Sequence, residues 1–139
     1  MKVLIYESLP VHGAEIRKTV FMLEQGFQNE FDEIDDRAVH FVLFHENDIP
    51  AAACRVFWDA EMDSYILGRL AVLKQFRGQN IGAAIVEKAE NYVRSKGGRV
   101  LSLHAQCRIS GFYQKLGFTK FGEIENDEGC PHIWMRKSI

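Results

Sequence analysis

Leu70-Ala71-Val72-Leu73-Lys74-Gln75-Phe76-Arg77-Gly78-Gln79-Asn80-Ile81-Gly82-Ala83-Ala84-Ile85-Val86 begins as an apolar run and ends as an amphipathic one, with a basic, glycine-bearing turn between. After the turn, Ile81, Ile85, Ala89 and Val93 recur at the spacing of one helical face. The order is therefore strand, turn, helix. The first amides of a helix have no intrahelical acceptor and sit at the positive end of its dipole, so a turn feeding such an end suits phosphate oxygens. Gly78 and Gly82 remove side-chain bulk from that approach, and Arg77 adds a fixed positive charge. The same glycines also serve an ordinary connection, with Gly82 allowing close helix packing. Neither a Gly-x-x-x-x-Gly-Lys-Ser/Thr nucleotide loop nor a Gly-x-Gly-x-x-Gly dinucleotide fingerprint is present.

The strand feeding this turn starts near Tyr65, and the helix after it runs to Lys96, where Gly97-Gly98 forms a C-terminal cap. Arg99 to Ala105 then reads as a strand parallel to Tyr65–Val72, joined by a right-handed crossover. Upstream, His40–His45 and Ala51–Trp58 read as a hairpin that continues as a meander into Tyr65–Val72. Val3–Tyr6 is a first strand, and Ile16, Val20, Leu23 and Phe27 mark a helix that starts after Pro10 and ends near Gly26. Downstream, Ile109–Leu116 forms a short helix closed by Gly117, and Phe118–Glu123 and His132–Arg136 supply two last strands. The prediction is one α/β domain spanning the chain, with a mixed sheet flanked by helices.

Composition narrows the function classes. The 139 residues suffice for one core, and 47% hydrophobic with 26% charged residues is ordinary for a globular protein. A formal charge of −2 without a basic stripe argues against nucleic acid as a partner. No apolar run reaches bilayer length, and Glu7 interrupts the N-terminal strand too early for a signal peptide, so no membrane partner and a cytoplasmic location are expected. Cys54, Cys107 and Cys130 are odd in number and unpaired in spacing, so reduced thiols are expected. Cys130-Pro131-His132 has no Cys-x-x-Cys or His-Glu-x-x-His companion, so no metal is expected.

Taken together, Leu70-Ala71-Val72, then Arg77-Gly78-Gln79-Asn80-Ile81-Gly82, then Phe112-Tyr113-Gln114-Lys115-Leu116-Gly117-Phe118 resemble the GCN5-related N-acetyltransferase (GNAT) family over nearly the whole chain. Arg17 to Gln25, the acidic Asp32–Asp36 stretch before His40, and Cys130 to Met135 are similar to its ElaA/YjcF-like branch. The resemblance implies a central twisted sheet whose two parallel strands splay apart, with acetyl-coenzyme A entering the gap. It implies a cofactor site made of Leu70, Ala71, Val72, Arg77, Gly78, Gln79, Asn80, Ile81, Gly82 and Ala83, with Tyr113 beside the thioester sulfur. Two positions depart from the family pattern. Asn80 stands where a glycine is usual, and asparagine tolerates left-handed backbone better than most residues. Cys107, Arg108 and Ser110 occupy the neighbourhood of a usual asparagine.

Acyl transfer to an amine requires a neutral amine, a polarised carbonyl and a proton for the leaving thiolate. An alkylamine with a pKa near ~10.4 is neutral in about one molecule in 2500 at pH 7, a penalty of roughly 4–5 kcal/mol. Glu24, His40 and His132 are the candidate bases; Glu24 is equally a surface charge on a helix and His40 equally a satisfied strand residue. Tyr113 is the candidate acid, because a phenol donates a proton without carrying charge at neutral pH. The carbonyl is expected to meet a backbone N–H near Leu70–Val72, as the resemblance implies. Glu30, Asp32, Glu33, Asp35 and Asp36 read first as a solvated surface loop, and alternatively as a rim that borders the acceptor site and attracts cations. The partners expected are acetyl-coenzyme A and an amine-bearing small molecule or peptide. Free strand edges and exposed aromatics, Trp58 and Trp134 among them, suggest a homodimer.

Overall fold

A computed structural model describes every residue from Met1 to Ile139. Seven strands form one sheet in the order β1-β2-β3-β4-β5-β7-β6. They are β1 (Lys2–Tyr6), β2 (Val39–His45), β3 (Ile49–Asp59), β4 (Ser64–Val72), β5 (Val100–Gln106), β6 (Thr119–Asp127) and β7 (Cys130–Ser138). β1 to β4 pair antiparallel in succession, β4 and β5 are parallel, and β7 lies antiparallel between β5 and β6. Helix α1 (Val11–Arg17) continues into a π-helical segment, Lys18–Glu24; α2 spans Ile81–Ser95 and α3 spans Ser110–Lys115. No helix is long and apolar enough to cross a membrane.

Strand alternation sorts the core onto the two faces of the sheet. Phe41, Leu43, Ala52, Cys54 and Leu67 meet Ile81, Ile85, Ala89 and Val93 of α2, whereas Val42, Phe44 and Ala53 meet Ile16, Val20 and Phe21. The helical face read at Ile81, Ile85, Ala89 and Val93 is therefore the buried face. Each of its larger side chains contributes about 1.5–3 kcal/mol by leaving water. Ile85 is fully buried, so Ile85→Ala should cost about 2–5 kcal/mol. At the helix end, Gly97 takes φ +81° and the Gly98 N–H bonds to the Val93 carbonyl at 2.9 Å, the hydrogen bond of a Schellman cap.

The parallel pair is short. Tyr65, Ile66 and Leu67 pair with Leu101, Ser102 and Leu103, and beyond these three rungs the strands separate. Gly68 to Val72 thus leaves backbone groups unpaired on its β5 side, which is the splay expected from the sequence.

The first helix departs from the expectation. Its second half is wound more widely, with Gln25 N–H bonding to Val20 C=O and Phe27 N–H to Phe21 C=O. Widening rotates the face: Leu23, expected in the core, is 73% exposed, and Phe21 is buried instead. The last two strands also run longer than expected, because β6 and β7 are joined directly through a turn at Glu128-Gly129.

Candidate active site

The turn after β4 brings its backbone N–H groups to the surface of a cleft. Lys74–Phe76 makes one 3-10 turn, Gly78 takes φ +79°, and Asn80 enters α2 at φ +62°, in the left-handed region. Asparagine pays less than most residues for that conformation, so the departure from glycine leaves the turn intact. The first intrahelical bond is from Ala84 N–H to Asn80 C=O at 3.0 Å, leaving the preceding amides of the first turn free. They face a cleft of about 570 Å³.

Leu70, Ala71, Val72, Arg77, Gly78, Asn80, Ile81, Gly82 and Ala83 all line this cleft. Of the expected cofactor residues on this turn, Gln79 does not; its side chain turns back to the Gln75 carbonyl. Gly82 serves a different neighbour from the one expected. A Cβ there would lie 3.1 Å from Phe112 Cζ, so glycine admits the Phe112 ring, which itself forms part of the cleft wall.

Arg77 is engaged. Its guanidinium makes a two-pronged contact with Glu24, at 2.7 and 2.8 Å, while its Nε donates to the Val72 carbonyl at 3.0 Å. The Arg77 hydrogen bonds hold the Glu24 carboxyl below the usual range. Glu24, expected as a base, is therefore an ionised partner of the cofactor-side arginine at the cleft mouth and does not reach the inner cavity. A second cation, Arg108, lines the same cleft; it bonds Gln106, which bonds Gln25, at 3.0 and 2.9 Å. The sequence marked Arg108 only as standing near the family's usual asparagine, and the Gln25–Gln106 pair was not identified from it. For Gln106 and Arg108 the signal was position, at the carboxyl end of the parallel strand β5, where α/β sheets bind ligands; Gln25, at the end of the first helix, carried none.

Behind the cleft, between the splayed strands, lies a smaller cavity of about 110 Å³ that shares Gln25, Leu70 and Ile109 with it. Tyr113 and His132 both line this cavity. The Tyr113 ring is packed edge-on against Phe112 and Phe118, and burial pushes its phenol above the ordinary range, with Cys54 adding to the effect. It is thus held as a neutral donor. His132 has Nδ1 at 2.8 Å from the Cys130 carbonyl. A carbonyl only accepts, so Nδ1 carries the hydrogen and Nε2 of the neutral ring keeps its lone pair. His104 lies beside it, ring centres 4.9 Å apart, and is stacked on Trp134; burial, then the neighbouring His132, lowers its pKa.

His40 is elsewhere. It is buried on β2, two strands from the gap, with Nε2 bonded at 2.9 Å to the Asp35 carbonyl, and burial lowers its pKa. It is the satisfied strand residue, not a base for the cavity.

The acidic segment is likewise not the free cation attractor of the alternative reading. Asp32 caps the 3-10 turn Glu33–Asp36, and Glu30, Asp32 and Asp35 are bound by Arg17, Arg55 and Arg69. Burial raises the Glu30 carboxyl. At Asp35 burial is outweighed by hydrogen bonds from Arg17 and Arg55, leaving it at about 2.

β4 bends where it enters the gap. Its pairing with β3 moves from Arg55↔Gly68 to Ala53↔Ala71, so Arg69 and Leu70 together oppose Cys54, and Arg69 takes φ +52°. Gly68, Arg69 and Leu70 form one wall of the inner cavity.

An open strand edge, a free helix start with two arginines, and an inner cavity holding a neutral phenol and an imidazole lone pair suit acyl transfer from a phosphate-bearing thioester. Comparison with known proteins agrees. Residues 10–139 match the acetyltransferase (GNAT) domain family. A Bacillus subtilis (strain 168) protein named as an acetyltransferase is 36% identical over 128 residues, covering 88% of this chain and 85% of its own. The crystal structure of Escherichia coli ElaA superposes with a TM-score of 0.85 at 24% identity, covering 99% of this chain and 100% of its own. An aminoglycoside 6'-N-acetyltransferase complexed with coenzyme A has the same fold, with a TM-score of 0.78 at 17% identity and 99% and 97% coverage. The chain belongs to the GNAT acetyltransferase family.

Proposed function

We propose that this acetyltransferase moves the acetyl group of acetyl-coenzyme A to a primary amine by direct attack within a ternary complex. The observation that carries the proposal is the meeting of the cofactor-sized cleft and the Tyr113–His132 cavity at Leu70. In this reading the pyrophosphate lies on the amides from Gly78 to Ala83, with Arg77 and Arg108 as counter-charges. The pantetheine runs along the unpaired edge of Leu70–Val72. This is the ligand class present in the aminoglycoside acetyltransferase complex.

The amine approaches through the inner cavity. His132 Nε2 takes its proton, the nitrogen attacks the carbonyl carbon, and a backbone N–H of the β4 bulge stabilises the developing oxyanion. The C–S bond then breaks as the thiolate takes the Tyr113 proton, the acetylated nitrogen loses its second proton to water, and His132 and Tyr113 return to their starting states by exchange with water. The reading places the protein in the cytoplasm with its cysteines free, and a dimer would use the open edges of β1 or β6.

The test is thiol release from acetyl-coenzyme A in the presence of an amine library, with acetylated products identified by mass spectrometry. Amine-dependent release supports the proposal. Tight coenzyme A binding with no release for any amine would leave a binding module in its place.

A further inference from the structure

Three arginines and three carboxylates form a lattice that the proposed chemistry does not use. Arg17 Nε meets Glu30 at 2.8 Å and its Nη1 meets Asp35 at 2.8 Å; Arg55 Nη1 meets Asp32 at 2.7 Å and Asp35 at 2.9 Å. Arg69 closes it, with Nε at 3.1 Å from the Glu30 carboxylate and Nη2 at 3.3 Å from Asp32. The Arg69 Nε also donates to the Glu30 carbonyl at 3.0 Å. Arg17, Arg55, Glu30 and Asp35 are each more than nine-tenths buried, and Arg55 Nε has no partner at all. Replacing such buried ion pairs with apolar side chains is often neutral or stabilising, so stability alone gives a weak reason for the lattice.

Its position gives a stronger one. The lattice ends on Arg69, the residue held at φ +52° in the β4 bulge, and Arg69 is not a residue type that enters this region cheaply. Such conformations persist where the surroundings over-determine them. Here the surroundings are two anchors on one side chain, each fixed in turn by a buried arginine.

We propose that the arginine–carboxylate lattice is a positioning device: it holds Arg69 in the left-handed conformation and so aims the N–H groups of the bulge at the acyl carbonyl. The role assigned to the bulge rests on the acetyl-transfer reading above. Arg69 is the positioning residue, and Arg17, Arg55, Glu30 and Asp32 support it. The donors themselves belong to the backbone, where sub-ångström aim decides how well an oxyanion is met.

The test compares Arg69→Ala with Arg69→Gly. Both lose the same side chain and the same ion pairs, but glycine adopts positive φ freely and alanine does not. Arg69→Ala should lower kcat on the order of 10²-fold, the scale of one misplaced oxyanion donor, with acetyl-coenzyme A affinity within about 3-fold of wild type. Arg69→Gly should recover about 10-fold or more of that loss. Asp32→Asn, at a side chain 27% exposed and therefore tolerant of change, should move kcat the same way by a smaller factor. Equal loss in the alanine and glycine variants would overturn the proposal, since the side chain would then act by itself. So would wild-type kcat in Arg69→Ala, or a fall in melting temperature with no change in kcat. Amide hydrogen exchange at Leu70 and Ala71 separates this from the enzymatic reading. Faster exchange in Arg69→Ala than in Arg69→Gly supports the positioning role even in a protein that acetylates nothing, and unchanged exchange in both overturns it.

Discussion

Removing one oxygen from Tyr113 tests the proposed chemistry with little disturbance of the fold. In Tyr113→Phe the ring keeps its edge-on contacts with Phe112 and Phe118, at centroid separations of 5.0 and 5.9 Å. The ring is 6% exposed and set among apolar neighbours, so losing the hydroxyl should change stability by less than about 1 kcal/mol. If the phenol protonates the departing thiolate, the single-turnover rate should fall by roughly 10²- to 10⁴-fold, or about 3–5 kcal/mol in the barrier. Two effects of this size are easily separated. Because burial raises the phenol's pKa, the acid stays protonated across the neutral range and no alkaline loss of rate should arise from Tyr113 below about pH 10. Rapid-quench measurement of acetyl transfer, with melting temperature and acetyl-coenzyme A affinity as controls, decides the matter. A folded variant with the wild-type single-turnover rate refutes the reasoning and leaves water or another group to protonate the sulfur.

His132→Asn should lower kcat about 10²-fold at pH 7, and the deficit should shrink near pH 10, where the amine is already deprotonated; a pH-independent deficit would point to a structural role. Glu24→Gln frees Arg77, so calorimetry should show coenzyme A binding unchanged or tightened by up to about 5-fold, in keeping with a half-exposed ion pair; Arg77→Glu should weaken binding strongly. Gly82→Val drives a side chain into the Phe112 ring, so weaker coenzyme A binding should come with a displaced Phe112, visible by crystallography. The Asp35 carboxyl, at about 2 in the folded protein against 3.8 unfolded, stabilises the fold fully above about pH 4, and this is lost as pH falls toward 2. Denaturant titrations at pH 6 and 3 should show a drop, to which Asp32 and Glu24 also contribute, that is smaller in Asp35→Asn than in wild type; a variant with the same pH dependence as wild type would sink the assignment.

What the amino-acid order determined by itself was local. The change from apolar run to helical periodicity around Arg77, the Gly97-Gly98 stop and the apolar strand at His40–His45 follow from interactions within a few residues, and each is found in the structure. Asn80 belongs with these, because tolerance of positive φ is a property of the residue type. What tertiary structure decided was which distant groups meet. Nothing local distinguishes His40, tied to a backbone carbonyl in the core, from His132, whose ring edge opens on the cavity. The acidic run looks like solvated charge until Arg17, Arg55 and Arg69, thirteen to thirty-nine residues away, close on it. Arg77 looks like a free phosphate ligand until Glu24 approaches from fifty-three residues earlier. The π-helical turn that exposes Leu23 and the left-handed Arg69 arise for the same reason. A residue's local preference is worth about a kilocalorie, and packing or ion pairing with partners that only the closed sheet brings together outweighs it.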